Sequence, residues 1–296
     1  MGEPNSTDET AIPSNHVTIF EMGPRDGLQN EARHIPTAEK VKLVDALTAC
    51  GFSKIETASF VSPKWVPQMA DGAEVLDQIQ RKPGVRYTAL TPNMKGYQRA
   101  KDAQADEVAV FGSASEGFSR ANVNCSADEA LQRFLPIMEA AASDGIPVRG
   151  YVSCVVACPY DGAIAPQATA RVAGVLYRAG CYEVSLGDTI GAGSPETIGA
   201  MLDAVLQEVP ASALAGHYHD TNGRALENIS VSLDKGLRVF DSSVGGLGGC
   251  PFAPGAKGNV ATEAVCDLAE SRGFVTGVDL DKLAGVADYA IGLRTG

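Results

Sequence analysis

From residue 16 onward the chain alternates short apolar or β-branched runs with longer amphipathic stretches. The spacing of roughly 30 residues is the length of one strand–helix unit of a parallel sheet. The runs cover 16–22, 54–60, 86–90, 107–111, 148–153, 182–186, 214–219 and 239–244. Helical patterns lie between them over 37–50, 75–81, 127–142, 166–179, 195–209 and 224–235. Thr37 stands where an N-cap belongs, and Gly51, Gly145, Gly180 and Gly236 stand at helix ends, where a left-handed residue closes the last turn. Eight units favour a closed (β/α)8 barrel, the TIM barrel, over an open doubly wound α/β sheet. No G-x-G-x-x-G fingerprint follows the first run, which weakens the open-sheet alternative. The 296 residues match one such barrel in length, and no linker or composition shift divides them. The expectation is an α/β TIM barrel forming one catalytic domain over 16–296. A disordered polar tail over 1–15 precedes it, and an extra C-terminal helix over 279–294 packs across the barrel.

Charge and cysteine usage narrow the partners. A formal net charge of −12 argues against a nucleic acid or an anionic membrane. No stretch approaches the roughly 18–20 apolar residues of a membrane-spanning helix. Residues 1–15 are polar and acidic, unlike a secretory signal or a transit peptide. The 7 cysteines are odd in number and lack close-set pairing patterns, which reads as free thiols in a reducing cytoplasm. Cys154 and Cys158 lie on or just after an apolar run with no second pair nearby, so packing explains them better than a metal.

In a barrel of this kind the chemistry sits at the C-terminal ends of the strands. Alternate residues of a strand face the same way, so His217 and His219 converge on one point. They are two of only 4 histidines in the chain, and paired imidazoles make a platform for a cation. Oxygen ligands would complete it: Asp26 after the first strand and Asn259 beyond the eighth, a set that suits Mg2+ or Mn2+. Asp26 also reads as a turn residue and Asn259 as a helix cap. Glu56 is a carboxylate inside an apolar strand, which is costly unless it is paired or near a cation. Asp188 reads either as a carboxylate supporting the site or as a helix cap. The glycine-rich stretch 245–249 ends at Cys250, which such a loop would leave accessible and movable over the site, although a buried structural cysteine is the plainer reading.

These segments together resemble the 3-hydroxy-3-methylglutaryl-CoA lyases, within the barrel metallolyase superfamily. The resemblance rests on Gly23-Pro24-Arg25-Asp26-Gly27-Leu28-Gln29-Asn30-Glu31, Gly216-His217-Tyr218-His219-Asp220-Thr221 and the stretch 243–253, whose Gly-Leu-Gly-Gly-Cys-Pro core is the most specific. It implies a metal held by Asp26, His217, His219 and Asn259, with Arg25 polarising the thioester carbonyl and Cys250 as a catalytic loop thiol. Glu21, Glu56, Asp188 and Glu263 match acidic positions around the family's site. The implied reaction is a retro-Claisen cleavage of 3-hydroxy-3-methylglutaryl-CoA to acetyl-CoA and acetoacetate, as in leucine breakdown. Asp26, Glu56, Asp188 and His217 are all candidates for the base. The acyl-CoA substrate is polyanionic, so local cations or backbone N–H groups must overcome the negative field of the chain. A homodimer is implied by the resemblance alone. Gly245 stands where alanine or serine is usual, a change expected to loosen the loop. The competing readings are an isopropylmalate- or citramalate-synthase-like condensing enzyme and a non-catalytic metal-binding barrel. The first is disfavoured because Glu21-Met22-Gly23-Pro24 replaces the synthases' Asp-Thr-Thr-Leu-like entry.

Overall fold

Each apolar run becomes a strand because it is covered on both faces, by the barrel interior and by the surrounding helices. The computed structural model describes residues 15–248 and 258–294. Among them, eight parallel strands close a barrel: β1 (Thr18–Glu21), β2 (Lys54–Ser59), β3 (Arg86–Leu90), β4 (Glu107–Ser113), β5 (Val148–Ser153), β6 (Glu183–Asp188), β7 (Leu214–Tyr218) and β8 (Val239–Ser242). The barrel shuts where the first strand meets the last, with Thr18 opposite Val239 and Glu21 opposite Ser242. A short antiparallel ribbon, Ala157–Cys158 with Gly162–Ala163, stands beside it.

The outer helices are α1 (Thr37–Ala49), α2 (Gly72–Gln78), α3 (Met94–Asp102), α4 (Glu116–Val123), α5 (Ala127–Asp144), α6 (Pro166–Arg178), α7 (Pro195–Val205), α8 (Ala225–Asp234), α9 (Thr262–Ser271) and α10 (Leu280–Gly292). Three of these, α3, α4 and α9, were not among the helical patterns named from sequence. Gly51, Gly145, Gly180 and Gly236 have φ of +99°, +70°, +107° and +95°, the left-handed conformation expected at helix ends. Thr37 is not a cap: Pro36 holds that position, and the Thr37 hydroxyl donates to Asp71 at 2.9 Å. The extra helix α10 packs against α1, α9 and the turn Val244–Gly246, burying Leu283, Val286 and Ala290.

Inside the barrel a layer of paired charges replaces part of the expected apolar filling. Arg149 on β5 is wholly buried and donates to Glu183 on β6 at 2.7 Å. It also reaches Asp241 on β8 with two bonds, of 3.0 and 2.7 Å. Strands β5 and β8 are not neighbours, so this pair crosses the interior. Buried ions on this scale are tolerated only when each is met by a partner, as these are.

Candidate active site

Arg25 and Asp26 leave β1 in one widened helical turn, Gly23–Gly27. Their side chains touch, Arg25 Nη1 donating to Asp26 Oδ1 at 2.6 Å. The other side of the Arg25 guanidinium pairs with Glu56 on β2, whose side chain is fully buried. Tyr151 on β5 donates its hydroxyl to the second Glu56 oxygen at 3.0 Å. Glu56 is therefore ion-paired, and its partner is itself a candidate residue.

His217 lies on β7 and His219 just beyond it, their ring centres 5.4 Å apart. Tyr218, between them, points the other way and bonds Ser232 at 2.8 Å, as strand alternation requires. Asp26, His217 and His219 each offer a ligand atom, all within 4.8 Å of one another. Asn259 pairs with His219 through the backbone, and its side-chain amide donates to Asp26 Oδ2 at 2.8 Å and to the Leu247 carbonyl at 3.2 Å. It is not a helix cap, because Ala261 precedes α9.

The electrostatics fit a cation. Burial alone would raise the Asp26 carboxyl, but the Arg25 guanidinium, the two imidazoles and the Asn259 amide hold it at about 2. Burial and the neighbouring His217 push His219 down to about 4, so it stands neutral and able to coordinate. His219 Nδ1 is buried without a hydrogen-bond partner, a costly state that a bound cation would relieve if this nitrogen turned to it. A carboxylate and two imidazoles this close are a recognised donor set for a divalent metal.

Asp188 is fully buried at the end of β6, and its oxygens accept the Ala192 N–H at 3.1 Å and the Gly193 N–H at 2.8 Å. It does not cap α7, a place taken by Ser194. Glu21 is also fully buried; it accepts the Gly23 and Val244 N–H groups and the Thr262 hydroxyl. Glu263 receives the Gly245 N–H. Cys250 and the rest of 249–257 lie outside the described residues.

Above these groups opens a cavity of about 1040 Å³, with Arg25, Asp26, Tyr151, His217 and His219 in its wall. The wall extends to Trp65, which is 78 % exposed, and to Asn122 and Arg133. The volume exceeds what a six-carbon acyl group fills and suits a much larger ligand. Tyr151, Arg149 and Asp241 went unremarked in the sequence. Arg149 and Asp241 carry the signal that exposed Glu56, a charged residue within an apolar strand.

With this geometry in place, the likeness to known proteins is close. A hydroxymethylglutaryl-CoA lyase of Bos taurus, described as mitochondrial, is 57% identical over 278 residues, covering 94% of this chain and 86% of the relative. The crystal structure of the HMG-CoA lyase from Brucella melitensis superposes with a TM-score of 0.94 at 61% identity, covering 95% of this chain and 100% of that one. An HMG-CoA lyase from Acinetobacter baumannii, solved in complex with coenzyme A and 3-methylmalate, gives a TM-score of 0.90 at 35% identity, covering 96% and 93%. The HMGL-like family model matches residues 16–289, and the chain belongs to that family.

Proposed function

We propose that this chain is a hydroxymethylglutaryl-CoA lyase, cleaving 3-hydroxy-3-methylglutaryl-CoA to acetyl-CoA and acetoacetate. The observation that carries this reading is the meeting of Arg25 with the Asp26–His217–His219 cluster in the wall of one large cavity. Asp26, His217, His219 and Asn259 would hold Mg2+ or Mn2+, the amide of Asn259 turning its oxygen inward. Such an ion supplies Lewis-acid polarisation of the substrate's oxygen atoms.

The protein's own groups account for the remaining chemistry. Arg25 spends three of its five N–H groups on Glu56 and Asp26, leaving one on each terminal nitrogen for the thioester oxygen. Those donors stabilise the negative charge that grows there as C2 separates from C3. Of the four candidate bases, His217 is committed to the metal, Glu56 and Asp188 have no exposed surface, and Asp26, at about 2, is too weak unaided. Glu56 is reached from the cavity through Tyr151. The substrate hydroxyl passes its proton to the Tyr151 oxygen as Tyr151 gives its own to Glu56, whose proton affinity burial raises. Asp188 holds the turn at 188–193 beside the site. Cys250 is the thiol that gives its own proton to the acetyl-CoA enolate; its thiolate then takes a proton from solvent and Glu56 releases the one it accepted, which restores both groups.

The catalytic unit is read as one domain over 16–296. A cytoplasmic setting is part of this reading; the six described cysteines, all free and buried, fit any reducing compartment. A homodimer rests on the family likeness alone. The test is incubation of purified protein with Mg2+, a reducing agent and 3-hydroxy-3-methylglutaryl-CoA, with acetoacetate measured. Acetoacetate and acetyl-CoA in equal amounts are expected; their absence would overturn the assignment.

A further inference from the structure

His217 is anchored from within the barrel by a carboxylate that the reaction does not touch. Asp241, on β8, is 2 % exposed, and its Oδ2 lies 3.2 Å from His217 Nδ1. The same oxygen accepts the Ser185 hydroxyl at 2.7 Å and an Arg149 N–H at 3.0 Å. Oδ1 takes a second Arg149 N–H at 2.7 Å. Arg149 cannot move away: it also donates to Glu183 at 2.7 Å, and its guanidinium lies over the rings of Phe20 and Tyr151, 4.3 and 5.0 Å from their centres. Three strands thus fix the plane of the Asp241 carboxylate.

A carboxylate surrounded by donors is an acceptor on every side. The His217 nitrogen that faces it must carry the hydrogen. In a neutral imidazole the hydrogen on Nδ1 leaves the lone pair on Nε2, and the partner of one nitrogen sets the state of the other. We infer that Asp241 is a positioning residue: clamped by Arg149 and Ser185, it holds His217 as the Nδ1–H tautomer and turns the Nε2 lone pair toward the cation site. This rests on the reading of Asp26, His217 and His219 as that site. A purely structural Asp241 would serve only as the counter-charge of Arg149.

Two measurements separate the roles, and neither uses the acyl-CoA substrate. The first is the 15N spectrum of histidine-labelled, metal-free wild-type protein, with His217 assigned by the signals lost in His217→Gln. At a pH high enough for the ring to be neutral, Nδ1 is expected to carry the proton and Nε2 to be bare; the opposite tautomer overturns the inference. The second is Mn2+ binding, followed through the electron paramagnetic resonance signal of the free ion. Asp241→Asn is expected to weaken binding about 10- to 100-fold, the usual effect of losing a residue that orients a metal-bound histidine. Unchanged affinity with a lowered melting temperature is the counter-charge outcome, and it sinks the inference alone. A wild-type protein that binds no Mn2+ sinks the site reading and this inference with it. If Asp241→Asn does not fold, the wild-type spectrum decides.

Discussion

Glu21 is completely enclosed between β1, the turn after β8 and the start of α9, and enclosure pushes its carboxyl up to about 7 despite three hydrogen bonds. Between the ordinary value of 4.5 and about 7, the unfolded chain releases this proton while the folded chain keeps it. The folded state then binds more protons, so stability falls as pH rises through that window and is level above it. Glu21→Gln mimics the protonated form, because its amide can donate to Thr262, which passes a bond to Ser242. Relative to wild type, the variant is expected to gain on the order of 2–3 kcal/mol between about pH 5 and about pH 8. Urea unfolding at the two pH values checks this, and a constant difference would refute it. Glu56 and Tyr151 make a second residue-scale case. If they relay the hydroxyl proton, Glu56→Gln and Tyr151→Phe should each lower kcat by about 10²- to 10⁴-fold, with little change in KM. A loss confined to KM would mean that the pair only orients Arg25.

Among the elements, the turn Val244–Gly246 shows what holds the start of the glycine-rich loop. Gly245 is tied down: its φ is +61°, and its N–H donates to Glu263 at 3.0 Å. A Cβ there would stand 3.0 Å from Ile291 Cγ1 and 3.3 Å from the Ala287 carbonyl, both on α10. Gly245→Ala is therefore expected to cost about 1–2 kcal/mol for the left-handed backbone alone. Crowding against α10 adds to that cost, and Ile291→Ala should recover only the part that the Ile291 side chain adds. A double-mutant cycle on thermal stability measures that coupling. This contact could not be read from the sequence, because it joins residues far apart in the chain through a packing distance. The strand–helix alternation, the helix-ending glycines and the His217–His219 pair were legible, since each is local and obeys a period of the backbone. The charge-filled barrel interior was half legible. Glu56 stood out in its strand, whereas Arg149 and Asp241 acquire meaning only once β5 and β8 face each other across the barrel.

On the scale of the whole molecule, the site stands on the seam where the chain closes on itself. Asp26 follows the first strand, and its amide partner Asn259 lies 233 residues later, beyond the last. Neither the cluster nor its electrostatics can exist in an open chain, so a divalent ion held there would bind the closed barrel and not the unfolded state. Binding of that kind stabilises by mass action, about 2.7 kcal/mol when the free ion is at 100 times its dissociation constant. A barrel of 296 residues unfolds with an entropy of roughly 0.6 kcal/mol per degree, from about 2.1 cal/mol/K per residue. Dividing the two, chelation should lower the melting temperature by about 4 °C under those conditions. The shift should return on adding Mn2+ in excess of chelator and should be absent in Asp26→Asn, where the proposed carboxylate ligand is weakened. A shift of equal size in that variant would place the ion elsewhere. The seam would then be merely where the barrel shuts, rather than where a bound cation holds its two ends together.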